Sequence, residues 1–169
     1  SKSYAAEFTK TSGKDGFSLE KISIVRKGRG VAVGEPSEAT TKGPWTEREI
    51  REWLKKKYGT DWGLRWRHDD RTFAFVTGKI PGLTVPVSPE EARVLADRLL
   101  PELIDLLGVP IEELKYSRTS PNTAHSYDIY YQHTIDGVPV YRSEIKISYF
   151  RETHEVSVAN SLLHGINVS

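Results

Sequence analysis

His154 and Glu155 stand side by side, as the first two residues of a zinc-hydrolase helix do. That helix needs a second histidine four residues after the first, so that both face one metal while the glutamate activates water. Position 158 is Val158, and the surrounding residues alternate as in a strand. The other histidines, His68, His125, His133 and His164, show no pair at helical ligand spacing. The carboxylate pairs Asp69-Asp70, Glu90-Glu91 and Glu112-Glu113 are adjacent residues, which extended chain points to opposite faces; a turn, a helix start and a strand start account for them. No nucleophile-elbow sequence is present for Ser/His/Asp catalysis. Gly28, Gly30 and Gly34 lack the strand–helix setting and the Lys-Ser/Thr ending of a phosphate loop. The chain contains no cysteine, which excludes thiol catalysis, zinc–thiolate sites and disulfides. The residues argue against an enzyme, and neither a metal nor a cofactor is expected.

Two further clusters raise binding rather than catalysis. Arg65-Trp66-Arg67-His68 has the types that stack on bases and seek phosphates, but Asp69 and Asp70 follow at once and cancel the field. The alternation predicts a half-buried strand, with Leu64, Trp66 and His68 on one face and Arg65 and Arg67 on the wet one; no nucleic-acid partner is expected. Tyr127, Tyr130, Tyr131, Tyr141 and Tyr149 read as a sheet-face cluster, either core or a partner-binding face. Net charge is +1 overall, but residues 1–60 hold 13 basic and 8 acidic side chains and residues 61–169 hold 11 and 15. Two solvated surfaces of different sign explain this; docking of the basic segment on an acidic partner is the sharper alternative.

These residues need elements to position them. The chain has 169 residues, 37% hydrophobic and 28% charged, which suits one folded domain rather than a disordered chain. There is no methionine, so the first residue reads as the start of a mature or trimmed fragment. No apolar run approaches a membrane helix, and no membrane partner is expected. Residues 1–44 read as a polar and β-like segment with a linker: 1–20 a loose end, 21–33 a short or bent strand, 35–44 the linker. Residues 45–169 read as the α+β domain. Thr46 with Glu49 forms a capping box, Ile50, Trp53, Leu54 and Tyr58 an apolar stripe, and Gly59 a stop. Residues 64–68 and 72–77 suit a hairpin turning at 69–71. A second helix starts at Ser88-Pro89 with Glu91 as capping partner; it buries Ala92, Leu95, Ala96, Leu99, Leu103, Leu106 and Leu107 and ends at Gly108. Pro101 inside it predicts a kink or a break. Strands follow at 111–118, 126–134, 138–150 and 155–159. Tyr127, Ile129, Tyr131 and His133 share one face; Tyr141, Ile145, Ile147 and Tyr149 share another; Asp136-Gly137 is the tight turn. The expected architecture is an antiparallel meander with the long helix on one face, plus an N-terminal helix and β-hairpin.

Residues 127–141, Tyr-Asp-Ile-Tyr-Tyr-Gln-His-Thr-Ile-Asp-Gly-Val-Pro-Val-Tyr, resemble the motif of the fungalysin/thermolysin propeptide family: a strand ending in Gln, a short turn, then Gly-Val-Pro-Val and an aromatic. The resemblance extends over residues 72–160, with 72–78 as leading strand, 88–107 as helix and 156–160 as last strand. The family places glycine after the aromatic, where this chain has Arg142. Here the matching region follows some seventy unmatched residues, whereas in the family it opens the pro-region. The resemblance implies a non-catalytic pro-region of a secreted or periplasmic thermolysin/fungalysin-like metalloprotease, acting as intramolecular chaperone and inhibitor. Its partner would be the protease catalytic domain, met through Tyr130, Gln132, Asp136, Gly137, Pro139 and Tyr141. A stand-alone secreted interaction or adhesion module with the same fold is the alternative.

Overall fold

Helix formation follows the caps. In the computed structural model, which describes residues 4–8, 22–26, 45–68, 72–122 and 125–164 (backbone alone at 4–8, 22–26 and 121–122), helix α1 spans Glu47–Tyr58. The Thr46 hydroxyl accepts from the Glu49 N–H and the Glu49 carboxylate accepts from the Thr46 N–H, so the capping box closes on both sides. Ile50, Leu54 and Tyr58 are buried and Trp53 half-buried, so the stripe faces inward as expected. Helix α2 spans Pro89–Leu107 with Ser88 as N-cap. Here the box is displaced: Ser88 accepts from the Glu91 N–H, but the Glu91 carboxylate reaches back to the Val87 N–H at 2.9 Å. Every residue expected on the buried face is inward, Leu95 partly so, and Leu100 joins them.

Pro101 does not break α2. The helix runs through it, because Pro101 and Asp97 are both exposed and water can serve the carbonyl that the ring leaves without an N–H. Buried Leu99, Leu100 and Leu103 on either side hold the axis, each worth about 1.5–3 kcal/mol of apolar burial.

The strands are β1 Tyr4–Phe8, β2 Ile22–Arg26, β3 Gly63–Arg67, β4 Thr72–Gly78, β5 Leu114–Asn122, β6 Ser126–Ile135, β7 Val138–Phe150 and β8 Val156–Asn160. β1 and β2 pair as a separate antiparallel ribbon. Strand β1 therefore falls in the stretch expected to be a loose end; Tyr4 and Phe8 supply strand-favouring aromatics among the polar residues that dominate the local composition. The expected turn at 69–71 and linker at 35–44 lie outside the described residues.

The other six strands form one antiparallel sheet in the order β3-β4-β8-β7-β6-β5. β5 to β8 make the expected meander. The β3–β4 hairpin is not an appendage: β4 pairs with β8, so the hairpin extends the same sheet. α2 lies against β5 and β6, and α1 against β3. One core joins Ile50 and Leu54, the apolar face of α2, and Ile129, Ile145, Ile147, Val156 and Val158 from the sheet.

Two expectations need correction. Residues 111–118 do not begin as a strand: Ile111–Glu113 is a 3₁₀ turn after Pro110, and β5 then continues past Pro121 to Asn122. An edge strand tolerates the missing proline N–H. The register shift at Arg65/Trp66 comes from an extra residue on β4, Ala74, so β3 keeps its expected faces, with Leu64 and Trp66 against the core and Arg65 and Arg67 on the open side. Arg67 is half-buried on that open side, donating to the carbonyls of Asn160 and Leu162 at 3.3 and 3.1 Å. His154 stands in the turn before β8 with φ of 59°, rather than within a strand.

Candidate functional site

The β6–β7 hairpin carries the fifteen motif residues, and its geometry explains those that set the turn and the bulge. Asp136 and Gly137 have φ of 51° and 77°. Two consecutive left-handed residues make the two-residue turn whose twist matches the strands it joins. Asp136, Gly137 and Pro139 are all exposed, and Pro139 pairs in register with Thr134.

Above the turn the strands slip. The register shifts between Gln132 and Thr134, and Arg142 opposite has φ of 60°. This bulge is held by Gln132, whose side-chain amide nitrogen lies 3.0, 2.8 and 3.1 Å from the carbonyls of His133, Val140 and Ser143. Its two N–H groups are thus shared among three acceptors inside the hairpin, and Gln132 acts as a clamp. The bulge also re-aims the residues beside it. Val140 is fully buried and Tyr141 is 50% exposed, so Tyr141 does not share the face of Ile145, Ile147 and Tyr149. The Arg142 guanidinium lies 5.1 Å from the centroid of the Tyr141 ring, giving an exposed aromatic–cation pair at the hairpin shoulder.

The tyrosines divide between the two sides of the sheet. Tyr127, Tyr131 and Tyr149 are buried under the helices. The Tyr131 hydroxyl donates to Asp97 at 2.7 Å, and burial first, then that bond, pushes its phenol up. Tyr130 is half-buried on the opposite face beneath the Arg118 guanidinium, 3.6 Å from its ring centroid. Of the six motif residues singled out, Asp136, Gly137, Pro139 and Tyr141 gather at the hairpin end. Gln132 is turned inward on backbone, and Tyr130 belongs to the open sheet face.

The fold also brings together a relay that no local pattern announces. His133 Nε2 lies 2.8 Å from the Glu113 carboxylate, and its Nδ1 lies 2.8 Å from the Ser143 hydroxyl. The Ser143 oxygen accepts the Leu163 N–H at 2.9 Å. A serine, a histidine and a carboxylate in line have the components of a hydrolytic triad, but Ser143 is 0% and His133 2% exposed, leaving no room for a substrate carbonyl beside the hydroxyl. The relay satisfies buried polar groups and ties the C-terminal residues to the bulge. Elsewhere, a crevice of about 160 Å³ between residues 80–83 and α2 is walled by Ile80, Leu83, Leu95 and Leu99, with Tyr149 among its lining residues. Among the described residues, no group of three or more His, Asp and Glu side chains could hold a metal ion. No described helix is long and apolar enough to cross a membrane.

No family model, no curated protein and no solved structure matches this chain.

Proposed function

We propose that the chain is the non-catalytic pro-region of a thermolysin- or fungalysin-like metalloprotease, and that it binds the catalytic domain through the end of the β6–β7 hairpin. The observation that carries this reading is the conformation of Arg142. It occupies a left-handed position, φ 60°, where the resembling family places glycine. The motif's Gln, turn glycine and position after the aromatic therefore act together as one backbone device: a clamped bulge that presents an aromatic to solvent. Tyrosine and arginine, rigid and able to make both apolar and polar contacts, are types enriched where binding energy concentrates. A preformed surface of this kind stabilises whatever native fold it binds, by mass action, and can cover a cleft while doing so. Secretion or export to the periplasm follows from this reading.

Two measurements test it. The coding sequence beyond Ser169 should continue in frame into a His-Glu-x-x-His helix, and the separately produced catalytic domain so encoded should lose peptidase activity when mixed with this chain. Tyr141→Ala should weaken that inhibition while the fold is kept. The second reading is a stand-alone interaction module with the same fold, for which the exposed Tyr141–Arg142 pair would itself be the binding patch. An in-frame stop at residue 169 would decide for it.

A further inference from the structure

The face of the sheet opposite the helices carries a transverse row that the register makes visible. Arg65 of β3 pairs with Phe75 of β4, Phe75 with Ala159 of β8, Ala159 with Lys146 of β7, Lys146 with Tyr130 of β6, and Tyr130 with Arg118 of β5. Three cations and two aromatic rings thus lie in line across all six strands. Each arginine covers a ring: Arg65 lies 5.8 Å from the Phe75 centroid and Arg118 3.6 Å from that of Tyr130. Among the described residues, no carboxylate stands within 4.0 Å of the charged nitrogens of Arg65, Arg118 or Lys146. Arg65, Ala159, Lys146, Tyr130 and Arg118 of this row line a groove of about 590 Å³, whose lining includes one carboxylate, Glu144. Asp128, one row along, is occupied by hydroxyl donors from Ser126 and Ser148.

We propose that this groove binds an extended acidic peptide segment of a partner protein, laid across the strands. The charge balance of its lining calls for an anionic occupant. The spacing fits a peptide: with strands about 4.8 Å apart, Lys146 sits about 10 Å from Arg118 and about 14 Å from Arg65. Extended chain rises about 3.4 Å per residue and returns to the same face every second residue. Carboxylates at alternate positions therefore recur about every 7 Å, within reach of the long, flexible Lys and Arg side chains, and those four positions apart span the longer distance. The Tyr130 ring supplies apolar contact between the charges and is of the type enriched at protein interfaces. Glu144 favours a peptide over a nucleic acid, because a carboxylate in the groove repels a continuous phosphate backbone but can accept peptide N–H groups. This inference is independent of the protease reading as placed above, since it concerns the open face of the sheet rather than the end of the β6–β7 hairpin.

The test is fluorescence anisotropy with the full chain and three labelled probes: a peptide of alternating Glu and Ser, its Gln-for-Glu counterpart, and a single-stranded oligonucleotide of matched charge. The glutamate peptide should bind, weaken as salt is raised, and exceed the glutamine peptide by about tenfold or more, as expected for several partly exposed ion pairs. Arg118→Gln and Lys146→Gln should each weaken it about two- to fivefold. The double change Arg118→Glu with Lys146→Glu should transfer preference to a Lys-Ser peptide, which a merely unfolded variant would not do. Tyr141→Ala should leave peptide binding unchanged, so loss of inhibition and loss of peptide binding are separate results. Tighter binding of the oligonucleotide than of the glutamate peptide would overturn the proposal, as would equal binding of the two peptides or parental binding by both single variants.

Discussion

Asp136, Gly137 and Arg142 all have positive φ at the hairpin, and the last two differ in cost. Gly137 at 77° has no side chain to strain, and a Cβ there would meet nothing within 4 Å. Gly137→Val should therefore destabilise through backbone strain alone, by about 1–3 kcal/mol. A urea midpoint equal to the parent's would show that the turn relaxes. Arg142 bears the same conformation with a full side chain. Arg142→Gly should be neutral or stabilising by up to about 1 kcal/mol, since strain relief is offset by the greater freedom of the unfolded chain, whereas Arg142→Val should be destabilising. If Arg142→Gly lowers the urea midpoint well below the parent's, the contact with Tyr141 outweighs the strain. Gln132→Ala would leave three carbonyls without their shared donor, and a loss of about 1–3 kcal/mol is expected. The turn at 136–137 was legible because Asp-Gly has one dominant geometry. The role of Gln132 was not, because only the bulge opposite decides whether a polar side chain on that face meets backbone or water.

Among the elements, the helices were readable nearly to the residue, since caps and stops are local chemistry: Thr46, Glu49 and Gly59 fix one, and Ser88 and Gly108 fix the other. Strands were readable as segments but not in their faces. Alternation held along β3 from Leu64 to Arg67 and along β6, where Tyr127, Ile129, Tyr131 and His133 all point inward, and failed at the bulge of β7. A bulge adds one residue to one strand against its partner, so it inverts the pattern beyond it without any necessary mark in composition. The buried relay of Glu113, His133 and Ser143 was hidden for the same reason: its members come from the 3₁₀ turn, β6 and the β7 bulge. Helix α2 also yields a test. Pro101→Ala should restore the N–H to Asp97 carbonyl bond within an already continuous helix. The gain is reduced by about 0.4–1 kcal/mol because alanine frees the unfolded chain, leaving about 1–2 kcal/mol of added stability. A lower thermal midpoint for Pro101→Ala would mean that the helix has adapted its packing to the ring.

At the scale of the whole molecule, residues 161–164 tie three separate parts together. Ser161 exchanges hydrogen bonds with Glu144, the Leu163 N–H meets Ser143 on the bulge, and the Leu162 carbonyl receives Arg67 from β3. Leu162 is fully buried in the core. His164 completes the strap: its Nε2, 2.8 Å from the Leu107 carbonyl, donates to the end of α2. A helix C-terminus ordinarily favours a charged histidine. Here burial is the larger effect, and it holds the His164 pKa below its ordinary 6.5; the Leu107 carbonyl opposes this, while Arg67 and His133 reinforce it. The direction fixes how stability responds to pH. Above the ordinary value the imidazole is neutral in both folded and unfolded chains, and its titration contributes nothing. As pH falls through 6.5, the unfolded chain takes up the proton first. Stability is therefore lost from there down to the lower folded value, below which the loss is complete and constant. His164→Gln keeps an N–H donor for Leu107 but cannot titrate. In urea titrations between pH 8 and pH 5, the parent should lose more stability than His164→Gln, and the two curves should differ in slope only below about the ordinary histidine value. Parallel curves across that range would mean that His164 takes its proton as readily folded as unfolded, and that the strap is not sensitive to pH at this residue.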